Sequence, residues 1–189
     1  YNAFSDTKQM TGFVDADNID VSYSFADRKI TLTGDLTYYW RGIKKELTSP
    51  WTSDAHTATQ GNWYLYTTDG ETFAWSQTQW IFDNVMVAFV SYNADADSSY
   101  ALRECHGLMD VETHEELHSQ IGTYRVSGGL ATAGTYTLNT ASDAATTPGF
   151  DESMIKDEDL STVIDAWIQG SYTWFYVGAA SAPVFNIDE

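Results

Sequence analysis

His114-Glu115-Glu116-Leu117-His118 is the string in this chain that carries the most chemistry. It matches the H-E-x-x-H pattern, in which two imidazoles one helical turn apart hold a Zn²⁺ ion and the glutamate polarises its bound water. Three features weigh against that chemistry. The predicted helix is short, Thr113 to Ile121, capped by Thr113 with Glu116 and closed by Gly122. Glu116 puts a charge where such enzymes keep an uncharged residue. No histidine follows His118, so the longer three-histidine form is absent. Glu152 and Glu158 are distant candidates for a third ligand, and nothing in the sequence selects between them.

The competing reading is structural. His114, Leu117, His118 and Ile121 share one helical face, which predicts imidazoles turned inward to meet backbone carbonyls or a carboxylate. With Glu104 and His106 just upstream, the set Glu104, His106, His114 and His118 is read as a structural histidine cluster. No catalytic residue, metal or cofactor is assigned. A non-catalytic metal on His106, His114 and His118 is the intermediate alternative. On the structural reading His118→Ala costs about 1–3 kcal/mol, because buried partners lose their mate.

Aromatic residues offer a second chemistry. Trp63, Tyr64, Tyr66 and Trp75 are candidates for stacking on sugar rings, although aromatic strands more often fill a core. No G-x-S-x-G string and no glycine-rich phosphate loop occurs.

Composition narrows the classes. The 189 residues hold 9 basic and 27 acidic side chains, a formal net charge of -18. Such a surface repels the phosphate backbone and anionic membranes, so no nucleic-acid partner and no membrane insertion is expected. Cys105 is the single cysteine, which excludes an intrachain disulfide and a cysteine-rich zinc site. The chain begins with Tyr1, and we expect it to be a piece of a longer polypeptide.

The elements that must position these residues are mostly strands. Residues 1–18 are expected to be an N-terminal arm, and 19–189 one mainly-β domain with a subdivision near 125–130. Alternation predicts strands at Ile19–Ala26 and Ile30–Thr33, and a third over Leu36–Lys45, together a meander. Leu47–Gly61, with His56, reads as an exposed loop. Asp69-Gly70 signals a hairpin between Asn62–Thr68 and Thr72–Ser76. The apolar run Val85–Tyr92 predicts a central strand, followed by one over Tyr100–Cys105. A second helix is expected over Glu158–Gln169, capped by Asp157, with Leu160, Val163, Ile164, Trp167 and Ile168 as its buried stripe. Tyr172–Val177 reads as a strand. The expected class is therefore an antiparallel β-sandwich-like domain with two short decorating helices.

Several strings carry a resemblance: Tyr38-Tyr39-Trp40-Arg41-Gly42, Gly61-Asn62-Trp63-Tyr64-Leu65-Tyr66, and Arg103-Glu104-Cys105-His106-Gly107-Leu108-Met109-Asp110 followed by Thr113-His114-Glu115-Glu116-Leu117-His118 and Ile121-Gly122-Thr123. Over residues 20 to 130 this arrangement resembles tail-fibre and other tail-associated virion proteins of tailed bacteriophages. Cys105 departs from that pattern. The resemblance implies a non-enzymatic structural protein of a phage tail, made in the host cytoplasm and working outside the cell in the virion. It implies a homotrimer that contacts neighbouring virion proteins and a host-surface glycan, with the histidines architectural. A zinc-dependent hydrolase and a carbohydrate-binding module are the alternative functions.

Overall fold

Alternating β-branched and aromatic residues become short antiparallel strands, and the protein is mainly β. The structure is a computed structural model describing residues 9–95, 98–129, 149–168, 174–177 and 183–186. Its contacts divide the chain into two units. Unit 1 takes the described residues up to Thr123 together with Asp157–Ser161, and unit 2 takes the remainder.

Unit 1 holds ten strands: β1 (Gly12–Phe13), β2 (Asp20–Ser24), β3 (Lys29–Thr33), β4 (Thr37–Trp40), β5 (Ile43–Glu46), β6 (Trp51–Thr52), β7 (Gly61–Thr67), β8 (Ala74–Ser76), β9 (Val85–Asn93) and β10 (Ser98–Arg103). They form sheets in the orders β1-β4-β5, β2-β3-β6 and β10-β9-β7-β8. The apolar run becomes β9, paired on both sides, with Val85, Val87, Ala88 and Val90 fully buried. These residues share one core with Leu65 of the neighbouring β7, Ile30 and Leu32 of β3, Tyr38 of β4, Phe13 and Cys105. Helix α1 (Val111–Glu116) follows β10 and runs on into a π turn over Leu117–Ile121.

The remaining strands are β11 (Thr123–Gly128), β12 (Gly149–Phe150), β13 (Ser153–Asp157), β14 (Leu160–Ile164), β15 (Trp167–Ile168), β16 (Trp174–Val177) and β17 (Pro183–Asn186). β13 lies between β11 and β14, β12 pairs with β15, and β16 pairs with β17. The predicted strand at 172–177 is described from Trp174 onward.

Five expectations are corrected. The described part of the arm is anchored: Phe13 is fully buried, and β1 is tied to the segment before α1 by Thr11 N–H to Met109 O (2.9 Å) and Phe13 N–H to His106 O (2.8 Å). The strand expected over 36–45 is a hairpin, because Arg41 (φ 48°) and Gly42 (φ 75°) turn the chain between β4 and β5. The meander does not form, since β2 and β3 pair with β6 while β4 pairs with β1 and β5. The loop over 47–61 contributes β6, and its Ser53 and His56 are buried. The second helix is absent: its first residues, Glu158 and Asp159, are the turn of the β13–β14 hairpin, and Leu160–Ile164 is a strand. Thr162, Val163 and Ile164 are β-branched, and that local preference favours the strand.

Candidate functional site

Three segments of unit 1 build the site: the end of β10 with its following loop, α1 with its π turn, and the β13–β14 turn. Asp110 caps α1, its carboxylate accepting from Thr113 N–H at 2.8 Å, so the cap lies three residues ahead of the expected Thr113. This places His114 on the inner face, 5% exposed. After Glu116 the helix widens, and Gly122 N–H bonds to Leu117 O at 2.9 Å. A π turn holds more residues than an α turn, so the four-residue spacing stops stacking side chains. The His118 side chain is consequently 57% exposed and Ile121 is 51% exposed. The expected inward stripe is therefore corrected: it holds at His114 and fails at His118 and Ile121.

Glu158 lies at the centre. It adopts φ 56° at the hairpin turn, and its N–H bonds to Gly122 O at 3.2 Å. Its side chain is 3% exposed; Oε1 accepts from His118 Nδ1 at 2.5 Å, while Oε2 is 3.0 Å from His114 Nε2 and 3.9 Å from His106 Nδ1. The His114 contact lacks hydrogen-bond alignment, which leaves His114 Nε2 and Glu158 Oε2 buried without a hydrogen bond. Asp159 grips the loop opposite: Oδ1 accepts from His106 Nδ1 and Oδ2 from Gly107 N–H, both at 2.6 Å. Glu104 Oε2 lies 3.4 Å from the other nitrogen of His106. Phe82 closes one side, its ring 4.8 Å from that of His114 and 5.1 Å from that of His118.

Charge follows from this packing. Burial pulls the His106 imidazole down, but the carboxylates of Asp159 and Glu104 outweigh it and push its pKa up to about 10. Burial acts to raise the Glu158 carboxyl, yet His114 and His118 hold it below the ordinary glutamate range. Asp159 is likewise kept low, burial being overcome by His106.

His106, His114 and Glu158 each offer one ligand atom within 4.8 Å of the others. Such a set of two imidazoles and one carboxylate can hold a transition-metal ion. The H-E-x-x-H pair is not this set: His118 is outside it, and Glu115 is exposed. The cluster lines a cleft of about 290 Å³ whose other walls include Tyr64, Trp80, Phe82 and Phe89. No protein-family model, curated protein or solved structure matches the chain.

All four expected cluster residues, Glu104, His106, His114 and His118, meet around this turn. Asp159 carries no signal in the sequence that marks it for the site, and Glu158 stands there only as a distant carboxylate. Assigning both to a helix concealed the turn that aims them at the histidines.

The proposed sugar-stacking set divides instead of forming one platform. Trp63 is buried, its ring stacked 4.9 Å from His56 and its indole N–H bonded to Thr59 O at 3.0 Å. Trp75 also packs on His56, at 5.1 Å. Tyr64 and Tyr66 alternate to the opposite face of β7, where both meet Trp80 edge-on. Alternation along a strand forces this division, so Trp63 is corrected from a ligand contact to a core residue. Cys105 is fully buried, and burial pushes its thiol far above the ordinary range. No helix among the described residues is long and apolar enough to cross a membrane.

Proposed function

We propose that this chain is a structural module of a phage tail, in a fibre or beside the baseplate, which associates with copies of itself and with neighbouring virion proteins. One observation carries the association: β10 is an outer strand of its sheet and exposes Tyr100 (58%) and Leu102 (38%). An outer strand presents unpaired backbone groups, and apolar side chains beside them favour a second chain. The occupant we assign to this edge is another copy of the chain.

The histidine cluster serves this role as a clasp. The motif that bears the resemblance to tail proteins closes around Glu158 and Asp159, and the buried ion pairs hold helix, loop and turn together. The strongly acidic surface and the buried lone thiol fit a particle protein made in a reducing cytoplasm. A contact with host glycan belongs to the same proposal, with the aromatic wall of the cleft as its site.

Sedimentation equilibrium on the untagged chain tests the reading. A trimer that dissociates when Tyr100 and Leu102 are both replaced by Lys is expected. A chain that stays monomeric at every concentration overturns it.

A further inference from the structure

We infer that His106, His114 and Glu158 bind one divalent transition-metal ion, zinc by the donor set, with Asp159, Glu104 and His118 holding the ligands in place. The inference goes beyond the assembly reading and stands independently of it.

Three observations carry it. The ligand atoms of the three residues already lie within 4.8 Å of one another. Zinc–ligand bonds of about 2.0–2.2 Å in a tetrahedron place ligand atoms roughly 3.3–3.6 Å apart, so a modest closing movement suffices. His114 Nε2 and Glu158 Oε2, moreover, are buried, 3.0 Å apart, and without a hydrogen bond. A folded protein rarely leaves two such atoms in that state, and a shared ion would satisfy both. The third observation is the supporting shell. Ligating histidines ordinarily give their second nitrogen to a carboxylate, a backbone carbonyl or water. His106 has Asp159 at Nδ1 and Glu104 at Nε2, so whichever nitrogen turns to the ion, a carboxylate holds the other. Glu158 keeps Oε2 toward the histidines because His118 occupies Oε1.

Charge permits the ion: three carboxylates, Glu104, Glu158 and Asp159, face the histidines, and a divalent ion would take the place of the proton on His106. Two nitrogens and one oxygen select a borderline metal such as zinc over calcium or magnesium, which prefer all-oxygen sites. The three donors line the cleft, which leaves room there for a water or a ligand group to complete the coordination.

The test uses the untagged full chain, stripped with chelator, dialysed and titrated with zinc sulfate under calorimetry, with cobalt(II) absorption as a second readout. One zinc per chain, a tetrahedral cobalt spectrum and a zinc-dependent rise in melting temperature are expected. Glu158→Gln, which preserves shape, should weaken zinc at least tenfold and abolish the cobalt band while keeping the wild-type circular dichroism spectrum. His106→Asn should do the same if His114→Ala fails to fold. His118→Ala should retain stoichiometric zinc, because His118 supports a ligand without being one. Absence of stoichiometric metal overturns the inference. So does loss of zinc in His118→Ala with retention in His106→Asn, the outcome an H-E-x-x-H site demands. Solution mass measured on the same samples separates the two proposals: a metal-free trimer sinks only the zinc site, and a zinc-loaded monomer sinks only the assembly reading.

Discussion

His106 donates from Nδ1 to Asp159 across 2.6 Å, joining residues 53 positions apart. The same carboxylate accepts from Gly107 N–H, so one side chain holds both an imidazole and the backbone beside it. Asp159→Ala leaves a buried imidazolium and a backbone donor without their acceptor. In chelator-treated protein it should cost about 2–4 kcal/mol, and Asp159→Asn, which keeps one acceptor oxygen, less. Urea denaturation gives both values, and an Ala variant as stable as wild type would remove the clasp.

His114 and His118 touch the same carboxylate but differ in burial. His118→Ala should cost about 1–2 kcal/mol: its own ring is exposed, but the Glu158 oxygen it serves is buried and loses its donor. This lies at the lower end of the loss expected from sequence, because the ring itself is exposed and opens no cavity when removed. His114→Ala opens a cavity beside Glu158 and should cost about 2–4 kcal/mol. Thermal melts of the two variants, compared side by side, check the order; equal losses would contradict the exposed placement of His118.

His56 supplies the pH prediction. Its Nε2 accepts from the Tyr23 hydroxyl at 2.7 Å and its Nδ1 donates to Thr57 O at 2.7 Å, the tautomer that a carbonyl acceptor requires. Trp63, Trp75 and Tyr92 pack around the ring. Burial holds its pKa below the usual 6.5, Thr57 opposes the shift, and Arg28 adds to it. A depressed histidine binds its proton more weakly folded than unfolded, so its contribution is complete above pH 6.5 and declines as pH falls below that value. Stability measured against pH should show this decline, and His56→Gln should reduce its slope. An unchanged slope in the variant would assign the decline to other groups.

Gly12 tests the anchoring of the N-terminal segment. It sits at φ +127°, and an added Cβ would lie 2.2 Å from Gly107 O. Gly12→Ala should therefore cost about 2–4 kcal/mol through backbone strain and a clash that pushes β1 off the loop carrying His106. Hydrogen exchange should show the Phe13 amide losing protection. A neutral substitution would mean that β1 is not docked.

Strands were legible where a clear two-residue alternation or a wholly apolar run marks them. The alternation at Val21–Tyr23 and Ile30–Leu32, the Asp69-Gly70 turn and the run at Val85–Tyr92 each record burial in their own period, so β2, β3, the β7–β8 hairpin and β9 could be read directly. The gathering of Glu104, His106 and His114 was readable too, because only a few residues separate them. Which sheet a strand joins was not, since β3 satisfies the same pattern whether its neighbour is β4 or β6. Leu160, Val163 and Ile164 suit a helix stripe as well as a strand, and the choice fell to pairing with β13. That pairing makes Glu158 and Asp159 a turn and carries them to histidines some forty to fifty positions away. Periodicity along a chain reports which faces are buried, whereas the partner of a buried charge is chosen by packing between distant segments, and only the folded structure specifies it.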